Sequence, residues 1–251
     1  MRKILVIGIG VGDPDHITMQ AIRALNQASV FFIPDKGAEK AALRELRTAI
    51  CERFIEKPGY RTVAVDMPQR RMSGDYLAGV DEWHSGLAEL YGALFERELA
   101  ENETGAVLVW GDPAIYDSTL RLIERIRANG LALEIEVIPG ISSVQVLAAK
   151  HRVALNRIGE SVVLTTGRKL AEGFPDDAGS VVVLLDGVQA FARLADQNLD
   201  IFWGAYLGTP HEILRSGKLA EVGDEIAAVR SKAREQHGWI MDVYLLRRPD
   251  R

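Results

Sequence analysis

Apolar runs that stop on small residues and restart as amphipathic helices constrain this chain more than anything else in it. ILVIGIG (4–10) is apolar on both faces, the pattern of a parallel strand covered by helices on either side. ITMQAIRALNQA (17–28) follows and sets Ile17, Ala21, Ile22, Leu25 and Ala28 on one helical stripe. Asp15 or Thr18 is placed to cap it. VFFIP (30–34), TVAVDM (62–67) and GAVLVWG (105–111) repeat the strand pattern, and 38–55 reads as a helix. Residues 68–104 read as a loop and then a long helix. A further helix is expected over 116–130, stopped by Asn129-Gly130.

The second half changes character. LEIEVIPG (133–140), SVVLTTG (161–167) and SVVVLLDG (180–187) read as strands, with a small helix near 142–149 and another running to about Gln197. IFWGAYLGT (201–209), EILRSGKL (212–219) and WIMDVYLLRR (239–248) read as further strands, the first two close enough to pair antiparallel. The pattern predicts an α/β protein of two αβα domains. Residues 1–115 form a mainly parallel domain and 116–251 a mixed-sheet domain.

Composition narrows the function. Of 251 residues, 47% are hydrophobic, enough for a buried core. A net charge of −5 argues against general nucleic-acid or anionic-membrane binding. No apolar stretch reaches the ~20 residues of a membrane span. The apolar N-terminal run is broken too early, by glycines and Asp13, to be a signal peptide, so a cytoplasmic enzyme is the expectation. Cys51 is the only cysteine, which excludes an intramolecular disulfide and a cysteine-based zinc site. His16, His84, His151, His211 and His237 show no pairing at helical ligand spacing, so no metal is expected.

Three junctions are candidates for chemistry. In GIGVGDPD (8–15) the glycines let main-chain N–H groups approach a ligand. The spacing is G-x-G-x-G, not the G-x-G-x-x-G of dinucleotide sites, and Asp13 holds the sixth place. Asp35 ends the second strand roughly where a ribose-binding acid would stand, which keeps a nicotinamide-dependent oxidoreductase open. In WGDPAIYDST (110–119), Asp112 suits an N-cap with Pro113 in the first helical turn; Trp110, Gly111 and Tyr116 are left unexplained by that role. In IPGISSV (138–144), Pro-Gly makes a turn and Ser142 or Ser143 caps the next helix. Ligands of open α/β sheets lie outside the carboxyl ends of strands. If the three strands are parallel neighbours, the three loops share one edge.

Taken in order and spacing, GxGxGDP, GDPAIYDST and IPGISS resemble the tetrapyrrole (corrin/porphyrin) methyltransferases, and SVVVLLDG and LGT fit the same plan over nearly the whole chain. Val11 departs from the family's frequent proline in the first loop. The resemblance implies S-adenosylmethionine as methyl donor, folded in a cleft between two domains and held largely by main-chain groups. Carried over by motif, its contacts are Val11, Trp110, Gly111, Asp112, Ile115, Ser142, Ser143, Leu185 or Asp186 (the match admits either), and Gly208. Methyl transfer from a sulfonium is an in-line displacement that needs alignment rather than a metal.

Within the family, GIGVGDPDHITMQA, WGDPAIYDSTLRLIERI and LTTGRKL look most like the members that act in aerobic cobalamin biosynthesis on precorrin-5. That likeness implies methylation at C-1 with loss of the acetyl group as acetate, giving precorrin-6A. Water must then add to an acetyl carbonyl, which a general base and an oxyanion stabiliser would assist. Asp35, Asp112 and Tyr116 are the candidates; a strand-end pairing of Asp35 with Lys36 and a packing role for Tyr116 are the structural alternatives. The substrate is a polycarboxylated tetrapyrrole, for which Arg70-Arg71 and Arg168-Lys169 offer cations, set against ordinary solvated surface charge. The family also implies a homodimer. Other tetrapyrrole methylations and a non-catalytic binding protein stay open.

Overall fold

The computed structural model describes residues 1–35, 41–68 and 76–249. The chain divides into two compact units, Met1–Gly10 with Pro14–Ile141, and Val11–Asp13 with Ser142–Arg251.

The first unit is a parallel sheet of β1 (Arg2–Gly8), β2 (Val30–Asp35), β3 (Arg61–Asp66), β4 (Thr104–Val109) and β5 (Leu133–Ile138), in the order β3-β2-β4-β1-β5. Alternation along its strands explains why they read as apolar throughout. Leu5, Ile7, Phe31, Ile33, Ala106 and Leu108 pack on one face with Ala21 and Leu25 of α1 (Met19–Leu25) and Ile50 and Cys51 of α2 (Ala41–Phe54). Ile4, Val6, Phe32, Val107 and Val109 pack on the other, with Leu87, Tyr91 and Phe95 of α3 (Tyr76–Glu98) and Ile123 and Ile126 of α4 (Thr119–Ala128). Both faces are therefore buried, as a βαβ sheet requires.

The second unit contains α5 (Ser143–His151), β6 (Ser161–Thr166), the single turn α6 (Gly167–Leu170), β7 (Ala178–Leu184), β8 (Asp200–Ala205), β9 (Ile213–Lys218), α7 (Leu219–His237) and β10 (Asp242–Arg247). Its sheet runs β6-β7-β10-β8-β9, with β6 parallel to β7 and every other pairing antiparallel. Phe191, Trp203, Ile226 and Tyr244 lie in its core.

The α/β class, the parallel first sheet and the mixed second sheet are as the sequence predicts. The expected boundary at 115/116 is not where the structure divides. β5 is hydrogen-bonded beside β1, Ile138 opposite Ile7, so α4 and β5 complete the first sheet and the division falls after Ile141. The helix expected at 116 starts only at Thr119, because Tyr116 takes a left-handed φ of 50° that no helix accommodates. Only a short 3-10 turn, Ala190–Leu194, stands where a helix to Gln197 is expected. The whole of α7 escapes the sequence reading, although Leu219, Ile226 and Ala233 share its buried side and Gly238, at φ 73°, ends it.

Candidate functional site

β4, β1 and β5 are adjacent parallel strands, so the loops that leave their carboxyl ends emerge side by side. The condition set on the three junctions is met. What joins the loops is main chain. Gly111 N–H donates to the Gly10 carbonyl at 2.8 Å, and the two glycines form an isolated bridge. A Cβ on Gly140 would sit 2.1 Å from the Gly111 carbonyl oxygen, and one on Gly8 only 2.6 Å from Gly140 N. These glycines are required because backbones touch one another. Asp112 completes the joint: one carboxylate oxygen accepts from Ala114 N–H at 2.8 Å, the other from Gly140 N–H at 2.9 Å. It is not the cap of α4, whose N-cap position is Ser118; just before it, Asp117 accepts from Thr119 N–H at 2.7 Å.

Trp110 leads into this joint. Its indole Nε1 is buried and, among the described residues, has no hydrogen-bond partner. An unsatisfied buried donor costs about 1–3 kcal/mol unless something accepts from it. Ile115 is half-buried, and the next residue, Tyr116, is 43% exposed. Burial of its phenol pushes the Tyr116 pKa up, so at neutral pH the hydroxyl is a donor and not a base. Asp35 is ion-paired to Arg44 of α2 at 2.7 Å.

The remaining expected residues lie in the second unit. Val11 is buried, and Gly12 beside it packs so tightly that a Cβ would meet the Leu207 carbonyl at 2.3 Å. Gly208, at φ 75°, donates its N–H to Glu212 at 2.8 Å. Ser142 is buried as the N-cap of α5 in a capping box with Gln145, and Ser143 opens the helix.

Leu185 and Asp186, the two readings of one motif position, have opposite environments. Leu185 is 68% exposed at a left-handed φ of 54°, an uncommon state for a branched apolar residue. Asp186 is 4% exposed and accepts from Val188 N–H at 3.0 Å, Ala190 N–H at 2.7 Å and Tyr244 Oη at 2.6 Å. Behind it, Arg230 pairs with Asp242 at 2.8 Å and donates to the Asp186 carbonyl at 2.6 Å, while Trp203 Nε1 donates to Asp242 at 3.0 Å. Burial and the Asp186 carboxylate drive the Tyr244 phenol pKa far up, so it stays protonated and donates. Of the two candidates, Leu185 is therefore the one whose side chain a ligand can touch.

Arg168 and Lys169 are exposed on α6, and Lys169 is paired with Glu172. Arg70 and Arg71 lie outside the described residues. No group of three or more potential metal ligands occurs among the described residues. Sequence reasoning missed Arg230, Asp242 and Tyr244. The available signal was an arginine on the apolar side of α7, between Ile226 and Ala233.

Residues 3–223 match the family model Tetrapyrrole (Corrin/Porphyrin) Methylases. Over 250 residues the chain is 54% identical to a precorrin-6A synthase [deacetylating] of Sinorhizobium sp, covering 99% of this chain and 96% of the relative. A crystal structure of a cobalamin synthesis related protein, CobF, from Corynebacterium diphtheriae superposes with a TM-score of 0.86 at 41% identity, covering 100% of both chains. The uroporphyrin-III C-methyl transferase of Thermus thermophilus, crystallised with S-adenyl homocysteine, shares the fold alone, at a TM-score of 0.59, 20% identity and coverage of 97% and 96%. The ordered loops at one sheet edge, the two αβα units and these likenesses agree: the chain belongs to the tetrapyrrole (corrin/porphyrin) methylases.

Proposed function

We propose that the chain converts precorrin-5 to precorrin-6A in aerobic cobalamin biosynthesis, methylating C-1 with S-adenosylmethionine and releasing the C-1 acetyl group as acetate. The observation that carries this is the 54% identity, sustained over 99% of the chain, to a deacetylating precorrin-6A synthase. Family membership and a fold relative crystallised with S-adenyl homocysteine support the donor. The residues fit it chemically: Trp110 Nε1 is a buried donor in want of an acceptor, and Leu185 offers an exposed apolar surface. When bound, the donor supplies an electrophilic methyl group on a sulfonium with a good leaving group.

The chain's part is then positioning. By the motif match, Val11, Trp110, Gly111, Ile115, Ser142, Ser143, Leu185 and Gly208 are the residues that hold the donor. Asp112 and Asp186 act one step back, keeping their loops in shape. Tyr116 keeps its proton and donates to the oxyanion that forms when water adds to the acetyl carbonyl. Asp35, ion-paired to Arg44 through one carboxylate oxygen, is the candidate to take a proton from that water. The enzyme works as a cytoplasmic homodimer.

Incubation with precorrin-5 and S-adenosylmethionine should release one acetate per methyl transferred. Methylation without acetate would move the chain to a sister step. Calorimetry should show S-adenosylhomocysteine binding and no NADH binding; the reverse result would sink the methyltransferase reading.

A further inference from the structure

The first sheet has a second feature at its carboxyl edge, one strand away from the glycine joint. β2 and β4 are neighbours, but β2 leads to α2 on one face of the sheet and β4 leads to α4 on the other. Successive connections that leave opposite faces open a crevice between the two strands, the place where ligands of open α/β sheets bind. Here the strands also part. Their pairing ends at Phe32 opposite Val107, so Leu108 is beyond the last paired residue.

Arg47 of α2 reaches the spot. Its Nε donates to the Leu108 carbonyl at 3.0 Å, and its Nη1 to the Leu43 carbonyl at 2.9 Å. Two main-chain bonds fix the plane of the guanidinium, and among the described residues Nη2 has no hydrogen-bond partner. Among the described residues no carboxylate lies within 4 Å of it. Asp117 and the Tyr91 phenol act on it only electrostatically, and desolvation holds its pKa below the usual arginine range. The nearest arginine on the helix differs: Arg44, three residues earlier, has its carboxylate in Asp35. Arg47 is half-buried, and a partly desolvated cation with no carboxylate in contact is favourably completed by an anionic ligand.

We infer that Arg47 is a substrate-binding residue that takes a peripheral carboxylate of the tetrapyrrole in the β2–β4 crevice. The inference rests on the methyltransferase reading above. Arginine suits this place because its fork can hold the protein with one edge and a carboxylate with another; lysine has a single point charge to offer. The inferred residue is distinct from the two basic pairs that the sequence suggests. It is an arginine already fixed in position before substrate arrives, so little side-chain entropy is lost on binding.

Steady-state kinetics with precorrin-5 on wild type, Arg47→Gln and Arg47→Lys, beside S-adenosylhomocysteine calorimetry and thermal melts, test this. Removing one partner of a desolvated charge pair should raise KM for precorrin-5 by about 30-fold or more in Arg47→Gln. Arg47→Lys should raise it about 5- to 10-fold, since lysine keeps the charge but lacks the planar fork that holds Leu108 with one edge and a carboxylate with another. The affinity for S-adenosylhomocysteine should stay within about twofold. A purely structural arginine would lower the melting temperature and leave KM alone. Either variant, once folded, with an unchanged KM overturns the inference, and Arg47→Lys keeps the test decisive if Arg47→Gln does not fold. Wild-type acetate release and S-adenosylhomocysteine binding report separately on the methyltransferase reading.

Discussion

In the first unit the loops after β4, β1 and β5 are joined main chain to main chain, whereas in the second the loop after β7 is held by buried charged side chains. Gly8, Gly10, Gly111 and Gly140 make the first joint by having no side chain. Asp186, Arg230, Asp242 and Tyr244 make the second by having large polar ones that satisfy each other. Beside each lies a group without a polar or packing partner among the described residues: the buried Trp110 indole N–H in the first, the exposed Leu185 side chain in the second. A close-packed backbone joint tolerates no added volume. A buried ionic joint tolerates no lost charge. The two regions should therefore fail under different substitutions.

The largest effect is expected from the ionic joint. Arg230→Met leaves Asp242 buried with, among the described residues, Trp203 as its one side-chain donor, and breaking a buried pair costs about 3–5 kcal/mol. Urea unfolding should show it as a lower midpoint with an unchanged slope. A loss below about 1 kcal/mol would mean that the pair is no better than a surface one, and the contrast between the units would fall. Next comes the backbone joint. Gly140→Ala places a Cβ against the Gly111 carbonyl and the Gly8 backbone, so about 1–3 kcal/mol of overpacking is expected, with weakened S-adenosylhomocysteine binding. Full stability and affinity in this variant would show that the joint can open without consequence. The smallest effect on stability belongs to Leu185→Gly. Relief of left-handed strain and the greater freedom of the unfolded chain offset one another, leaving a change below about 1 kcal/mol. S-adenosylhomocysteine affinity should nonetheless fall several-fold; if it does not, Leu185 is a strained turn residue and nothing more.

Much of the frame was legible because burial on both faces of a parallel sheet writes itself into consecutive apolar residues. ILVIGIG, GAVLVWG and the helices between them could hardly be read otherwise. The site was legible in outline because three loops of small residues follow three such strands. Its inner workings were not. Trp110 and Leu185 were named from motif position, but an unpaired indole N–H and an exposed left-handed leucine are properties of the folded chain. Arg47 and Arg230 stood at core-facing helical positions, Arg47 one turn before Ile50 and Cys51, and Arg230 between Ile226 and Ala233. An arginine on an apolar stripe is the sign that both sites shared.

By itself the sequence determined an α/β chain of two sheets, the order of its chemistry-bearing loops and its family. Each of these follows from local periodicity or from short motifs read in order. Only the tertiary structure decided that the unit boundary lies after Ile141, that the loop glycines are needed by one another, and that Asp112 ties its loop to the one after β5 and Asp186 ties its loop to β10. Those facts depend on partners far apart in the chain: Asp112 meets Gly140 across 28 residues, and Asp186 meets Tyr244 across 58. Periodicity records that a residue is buried. Which group it meets there is settled when the strands find their neighbours.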